Sequence, residues 1–224
     1  MIELPSPNHG PRSVDRPIDM LVLHYTGMAS AMAAVDRLCD PRSQASAHYL
    51  IEENGTIWSL VQEGRRAWHA GIAFWAGERD VNACSIGIEL VNPGHEHGYR
   101  AFPPAQMAVL IDLAQDLVQR YQIPRHRVLG HSDVAVGRKT DPGELFDWEA
   151  LAQAGIGLWP ARQPAEMEAV DVSGFCSDLA RFGYDAAARD VIEAFQRHYR
   201  PWRIDGKADA ECAQILAALL SEMR

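Results

Sequence analysis

The sequence predicts an α/β domain, a mixed β-sheet flanked by helices, followed by a small three-helix bundle. Three observations carry this reading. Short apolar runs rich in strand formers alternate with longer stretches whose apolar residues recur at helical spacing. Two of the extended runs bracket Asn54-Gly55, the strongest short hairpin signal, so part of the sheet is antiparallel. Beyond the proline-bearing stretch Pro160 to Pro164 the chain carries three further helical patterns.

The elements follow in order. Met20-Leu21-Val22-Leu23-His24-Tyr25 is an apolar strand that empties into Thr26-Gly27, which puts His24 at a strand end. Met28 to Leu38, rich in Ala and closed by Asp40-Pro41, reads as a helix across the sheet. His48 to Ile51 and Thr56 to Leu60 form the hairpin. In the next strand, Ser85 to Val91, alternation sets Ile86, Ile88 and Leu90 on one face and Gly87, Glu89 and Val91 on the other, so Glu89 is a carboxylate in a mostly apolar strand. Pro104 to Tyr121 carries Met107, Leu110, Leu113, Leu117 and Tyr121 at intervals of three and four, a helix with Pro104 near its start and Pro124 beyond its end. Arg127 to His131 is a short strand ending in a second histidine, before the polar loop Ser132 to Pro142.

This α/β unit is expected to span 1–159, with a linker at 160–166 and a helical module at 167–224 whose helices centre on Ser177–Phe182, Ala186–His198 and Ala210–Met223. Because separate domains carry their own cores, a chain stopped near Ala165 is expected to fold.

Bulk composition excludes several classes. Of 224 residues 47% are apolar and 23% charged, ordinary values for a soluble protein, and no run approaches the ~20 apolar residues of a membrane span. A net charge of −9 gives no general footprint for nucleic acid. The amino terminus lacks a basic patch followed by an apolar run, which predicts a cytoplasmic protein, or a periplasmic one if a leader has been removed. Cys39, Cys84, Cys176 and Cys212 form no C-x-x-C pair and are expected to be free thiols, with disulfide pairing as the competing reading.

Nine histidines are too many to interpret one by one, and a lone His at a strand end is more often structural than a ligand. His24, His131 and Asp141 could together supply two imidazoles and a carboxylate, leaving a fourth tetrahedral position open, as in catalytic zinc sites. Their spacing alone does not establish this. Taken singly, Glu89 also fits a carboxylate satisfied by backbone amides, and Lys139 a solvated loop charge.

The local strings decide. Leu-His-Tyr-Thr, Ser-Ala-His-Tyr-Leu-Ile, Trp-His-Ala-Gly, Asn-Ala-Cys-Ser-Ile-Gly-Ile-Glu and Gly-His-Ser-Asp-Val followed by Lys-Thr-Asp-Pro-Gly resemble, in order, the N-acetylmuramoyl-L-alanine amidases of the type-2 amidase family over roughly residues 18 to 160. The resemblance implies one zinc per chain on His24, His131 and Asp141, with Glu89 and Lys139 as catalytic helpers. It implies hydrolysis of the amide between the muramic lactyl group and L-alanine, in peptidoglycan or in soluble muropeptides. Trp68 and His69 fall in the family's substrate-groove segment, and Asn82 is assigned to hydrogen bonding with substrate or loop. Phage and animal relatives place a catalytic Tyr where this chain has Ala47, so proton transfer falls to Glu89 or water, as in the bacterial recycling branch. His48 is expected to hydrogen-bond within the sheet, His95 and His97 to lie on a groove-rim loop. The segment around Val191 to Tyr199 resembles the three-helix peptidoglycan-binding module of wall hydrolases. The alternatives are a non-catalytic peptidoglycan-recognition protein on the same fold and a different zinc hydrolase, such as a deacetylase or carboxypeptidase.

Overall fold

The computed structural model describes residues 1–160 and 171–223. Most of the expected linker therefore lies outside the described residues. The centre of the fold is the parallel pair β3 (Met20–Tyr25) and β7 (Ser85–Leu90), in a register that sets His24 opposite Glu89 and Val22 opposite Gly87. β8 (Val128–Gly130) runs parallel on the far side of β3, and β4 (Tyr49–Ile51) parallel on the far side of β7. β5 (Ile57–Ser59) returns antiparallel to β4 as the predicted hairpin, whose turn places Gly55 at φ +88°. β1 (Ile2–Glu3) closes the sheet in the order β1-β5-β4-β7-β3-β8. A two-stranded sheet of β2 (His9–Pro11) and β6 (Arg65–Ala67) stands apart.

Side-chain parity divides the two faces. Leu21 and Leu23 of β3 and Ile86, Ile88 and Leu90 of β7 pack against Met107, Leu110, Leu113, Ala114 and Leu117 of α3 (Pro104–Tyr121). On the opposite face β3 offers Met20, Val22 and His24, and β7 the small or polar Ser85, Gly87 and Glu89. α1 (Ala31–Cys39) starts three residues later than the sequence pattern, where Ser30 caps it by accepting from Ala33 N. It packs its Ala34, Val35 and Leu38 with Leu50, Leu60 and Val91.

The short helices α2 (Val81–Cys84), α4 (His131–Val134) and α5 (Trp148–Gln153) connect this frame. The C-terminal helices are α6 (Val172–Phe182), α7 (Val191–Tyr199) and α8 (Ala210–Glu222). Their core is not separate, which corrects the expectation from sequence. Phe175, Leu179, Phe182, Tyr184, Phe195 and Leu219 share one buried cluster with Met20, Val22, Trp75, Leu129 and Val134 of the sheet unit. Apolar stripes on α6 to α8 announce a buried face, but a stripe does not say whether that face meets its own bundle or a neighbouring sheet. The four cysteines form no disulfide. Among the described residues no helix is long and apolar enough to cross a membrane.

Candidate active site

β3, β7 and β8 end at the same edge, and their carboxyl ends deliver the chemistry. His24 is the fifth residue of β3, Glu89 sits beside it on β7, and His131 opens α4 directly after β8. The loop after α4 returns Asp141, whose backbone oxygen accepts from Ser132 N at 2.9 Å. His24 Nδ1, His131 Nδ1 and Asp141 Oδ2 form a buried triangle with sides of 3.0, 3.1 and 3.1 Å.

The surrounding hydrogen bonds fix which ring nitrogens carry protons. Ser85 Oγ donates to Val81 O at 2.6 Å and so accepts from His69 Nε2 at 3.1 Å. His69 Nδ1 is then unprotonated and accepts from His24 Nε2 at 3.0 Å. His131 Nε2 donates to Ala70 O at 3.0 Å. Both Nδ1 atoms therefore present lone pairs to each other and to a carboxylate oxygen, an arrangement of three acceptors that a cation relieves. Around a tetrahedral zinc with bonds of about 2.0–2.1 Å, ligand atoms lie about 3.3 Å apart, so the donor set fits that ion. Burial, reinforced by His131, lowers the His24 pKa to about 4, keeping a neutral imidazole ready to coordinate. Burial works against ionisation of Asp141, yet the two histidines pull its carboxyl far below the usual range.

Glu89 has the opposite environment. Its Oε2 is buried with no hydrogen-bond partner among the described residues, and burial, then the nearby Asp141, raises its pKa well above the carboxylate norm. A raised pKa makes the carboxylate a stronger base than an exposed one, which suits it to proton transfer. Lys139 is exposed and lines, with Glu89, His131 and Asp141, a cavity of about 600 Å³.

The other expected residues surround this group. Trp68 lines the cavity. His69 reaches its floor, but with both ring nitrogens engaged it backs His24 and offers no free polar atom to a substrate. Asn82 does not line the cavity at all. Its Oδ1 instead accepts from His69 N at 3.1 Å and Ala70 N at 2.9 Å, pinning the loop that supports both histidines. His48 lies one residue before β4, not in the strand, but it hydrogen-bonds to the sheet as expected, its Nδ1 accepting from Gly87 N at 2.9 Å. His95 is on the rim, its Nδ1 2.9 Å from the Tyr25 hydroxyl, its Nε2 3.1 Å from Glu144.

Two contributors escaped the sequence reading: Ser85 and Arg138. Ser85 was open to discovery, since it shares strand parity with Glu89. Arg138, which donates to Ala70 O at 2.5 Å and Ile72 O at 2.7 Å, sits in a loop that offers no periodicity to read.

A sheet whose strand ends converge on a buried His-His-Asp group beneath a polar groove offers a donor set for one metal ion. The profile described as N-acetylmuramoyl-L-alanine amidase matches residues 14–144, more than half the chain, and the protein belongs to that family. It is 42% identical over 234 residues to N-acetylmuramoyl-L-alanine amidase AmiD of Escherichia coli, covering 92% of this chain and 83% of that one. To 1,6-anhydro-N-acetylmuramyl-L-alanine amidase AmpD of the same organism it is 33% identical over 162 residues, 65% of this chain and 86% of that one. Among solved structures, E. coli AmiD in complex with anhydro-N-acetylmuramic acid-L-Ala-D-γ-Glu-L-Lys superposes with a TM-score of 0.84 at 39% identity, covering 94% of this chain and 91% of that one. Pseudomonas aeruginosa AmpDh3 in complex with anhydromuramic pentapeptide gives a TM-score of 0.82 at 34% identity, covering 92% of each chain.

Proposed function

We propose that this chain is a zinc amidase that hydrolyses the bond between the lactyl group of N-acetylmuramic or anhydro-N-acetylmuramic acid and L-alanine of the stem peptide. The observation that carries the proposal is the triangle of three proton-free acceptor atoms, His24 Nδ1, His131 Nδ1 and Asp141 Oδ2, at the floor of the groove. Retention of all three, with Glu89 and Lys139 beside them, favours catalysis over a recognition protein on the same fold.

Bound there, zinc would polarise the amide carbonyl and lower the pKa of water toward ~7. The protein's own groups do the rest. Glu89, with its unpartnered Oε2 and raised pKa, takes the proton of the attacking water and returns it to the departing L-alanine amine. The ammonium of Lys139 faces the carbonyl oxygen as it becomes negative. The Ser85–His69 relay holds His24 in the tautomer that coordinates, and Trp68 forms part of the groove wall against which sugar or peptide rests. In the same reading 1–159 forms the catalytic unit, 160–166 the linker and 167–224 a helical module that adds a wall contact.

The test uses the purified full chain, an anhydro-muropeptide and mass spectrometry of the products. The expected result is one zinc per chain and release of an intact peptide beginning with L-alanine, abolished by a chelator and restored by zinc. Cleavage inside the stem peptide, loss of acetate alone, or full activity in a metal-free sample would overturn the reading.

A further inference from the structure

The helix that carries His131 is tied to the C-terminal helices through one carboxylate. Asp133, fully buried and two residues from His131, accepts from Gly130 N at 2.7 Å, closing the turn between β8 and α4. Its other bonds reach across to the helical module. Tyr184 Oη donates to Asp133 Oδ1 at 2.6 Å, and His198 Nδ1 lies 2.7 Å from Asp133 Oδ2. His198 is 2% exposed and stacked between Trp148 of α5, at 3.7 Å, and Tyr199, at 3.8 Å.

We infer that Asp133 is a positioning residue through which Tyr184 and His198 of the C-terminal module hold the His131 turn in its metal-binding geometry. Three donors on one dry carboxylate leave it a single low-energy orientation, and that orientation fixes the peptide at Gly130 and hence the start of α4. His131 Nδ1 must meet two other atoms within about 0.5 Å of their places to complete a zinc face. Without Asp133 the turn would keep, among the described residues, only the bonds from Ser132 N to Asp141 O and from His131 Nε2 to Ala70 O, and none that ties the start of α4 to the end of β8. The module thus acts on the metal centre through Asp133, in addition to any contact it makes with the cell wall. This inference rests on the reading of His24, His131 and Asp141 as metal ligands.

Tyr184→Phe removes one oxygen, and His198→Phe removes the donor while keeping an aromatic ring in the stack. Phe182→Leu serves as the control: Phe182 is fully buried in the same module, in ring contact with Trp75, Tyr199 and Tyr184 itself, and has no bond to Asp133, so its loss loosens the packing around Tyr184 while the Tyr184 hydroxyl stays. Zinc affinity of each full-length apo chain is measured by competition with a chelator, alongside circular dichroism and thermal unfolding of the apo form. The expected result is a loss of zinc affinity of about tenfold or more in both Tyr184→Phe and His198→Phe, with the folded apo spectrum retained, and unchanged affinity in Phe182→Leu despite its lower Tm. Should His198→Phe fail to fold, the single-oxygen Tyr184→Phe carries the comparison. Wild-type zinc affinity in the Tyr184 and His198 variants, or an equal loss in Phe182→Leu, would overturn the coupling. A wild-type chain that binds no zinc would instead remove the reading of the site on which the coupling rests.

Discussion

Gly87→Ala is the substitution by which the structure makes its sharpest demand. Gly87 lies midway along β7, on the face that carries Glu89, and a Cβ built there would sit 2.5 Å from His69 Cγ and 2.7 Å from His69 Nδ1. Carbon atoms in contact prefer about 3.5–4.0 Å, so the ring would have to retreat by about 1 Å. The 3.0 Å bond from His24 Nε2 to His69 Nδ1 then stretches to about 4 Å, beyond hydrogen-bond range. His24 loses the acceptor that keeps its Nδ1 free of a proton. Loss of such a supporting partner costs about 10–100-fold in metal affinity, or roughly 1.4–2.7 kcal/mol. Overpacking adds about 1–3 kcal/mol of lost stability. Chelator competition measures the first and thermal unfolding of the apo chain the second. In the double variant Gly87→Ala/His69→Ala the clash is gone, so stability should recover while zinc affinity stays low. Wild-type zinc affinity in Gly87→Ala would refute the claim that the space beside Gly87 exists for the His69 ring.

Glu89→Gln keeps the volume of the side chain and should retain zinc while kcat falls about 10²–10⁴-fold; an unchanged kcat on anhydro-muropeptide would reassign the proton transfer. Lys139→Met should also retain zinc and lose on the order of 10²-fold in kcat, checked in the same assay. Burial, then the neighbouring Arg12, lowers the His48 pKa to about 3, against about 6.5 when unfolded. The unfolded chain thus takes up the proton first, so the stability due to neutral His48 is whole above pH 6.5 and is lost as pH falls toward 3; denaturant titrations at pH 7 and pH 4 should show a smaller decline in His48→Asn than in wild type. A chain stopped after Pro160 would uncover Trp75, which is fully buried; at about 150–250 Å² and roughly 25 cal/mol per Å² this side chain alone accounts for ~4–6 kcal/mol. The truncated chain is therefore expected to be aggregated or loosely packed, and a sharp, reversible melt would show that the sheet tolerates loss of its cover.

The elements that the sequence announced were those whose signals are local. The β3 and β7 runs, the Asn54-Gly55 hairpin and the α3 heptad-like stripe depend on neighbours within a few residues, and each lies where its pattern put it. What escaped was set by contacts made at long range. β1, β2 and β6 are two or three residues long and owe their extended form to partners such as Trp58 and Ala67, not to any run of strand formers. The groove segment marked His69 without revealing that its ring meets His24, 45 positions away, and Asn82 was open to a substrate or a loop partner until the fold brought it to the backbone of residues 69 and 70. His198 offered no sequence signal at all. Its role depends on Asp133, which is 65 positions away.

The parity of two strands explains why fold and site can coexist in one sheet. On β3 and β7 every second residue is a large aliphatic group committed to α3, and this face sets the register. The register then determines what meets on the other face, where His24 is opposite Glu89, Val22 opposite Gly87 and Met20 opposite Ser85. A slip of one residue would send Glu89 into the aliphatic layer, and a slip of two would bring Gly87 opposite His24 and leave the imidazole without its carboxylate neighbour. The Ser-Ile-Gly-Ile-Glu string thus encodes two things at once. Its isoleucines fix the strand against α3, and its serine, glycine and glutamate supply the anchor for His69, the space for its ring and the unpartnered carboxylate. Such a string tolerates little substitution on either parity, because a change in the aliphatic set moves the polar set with it.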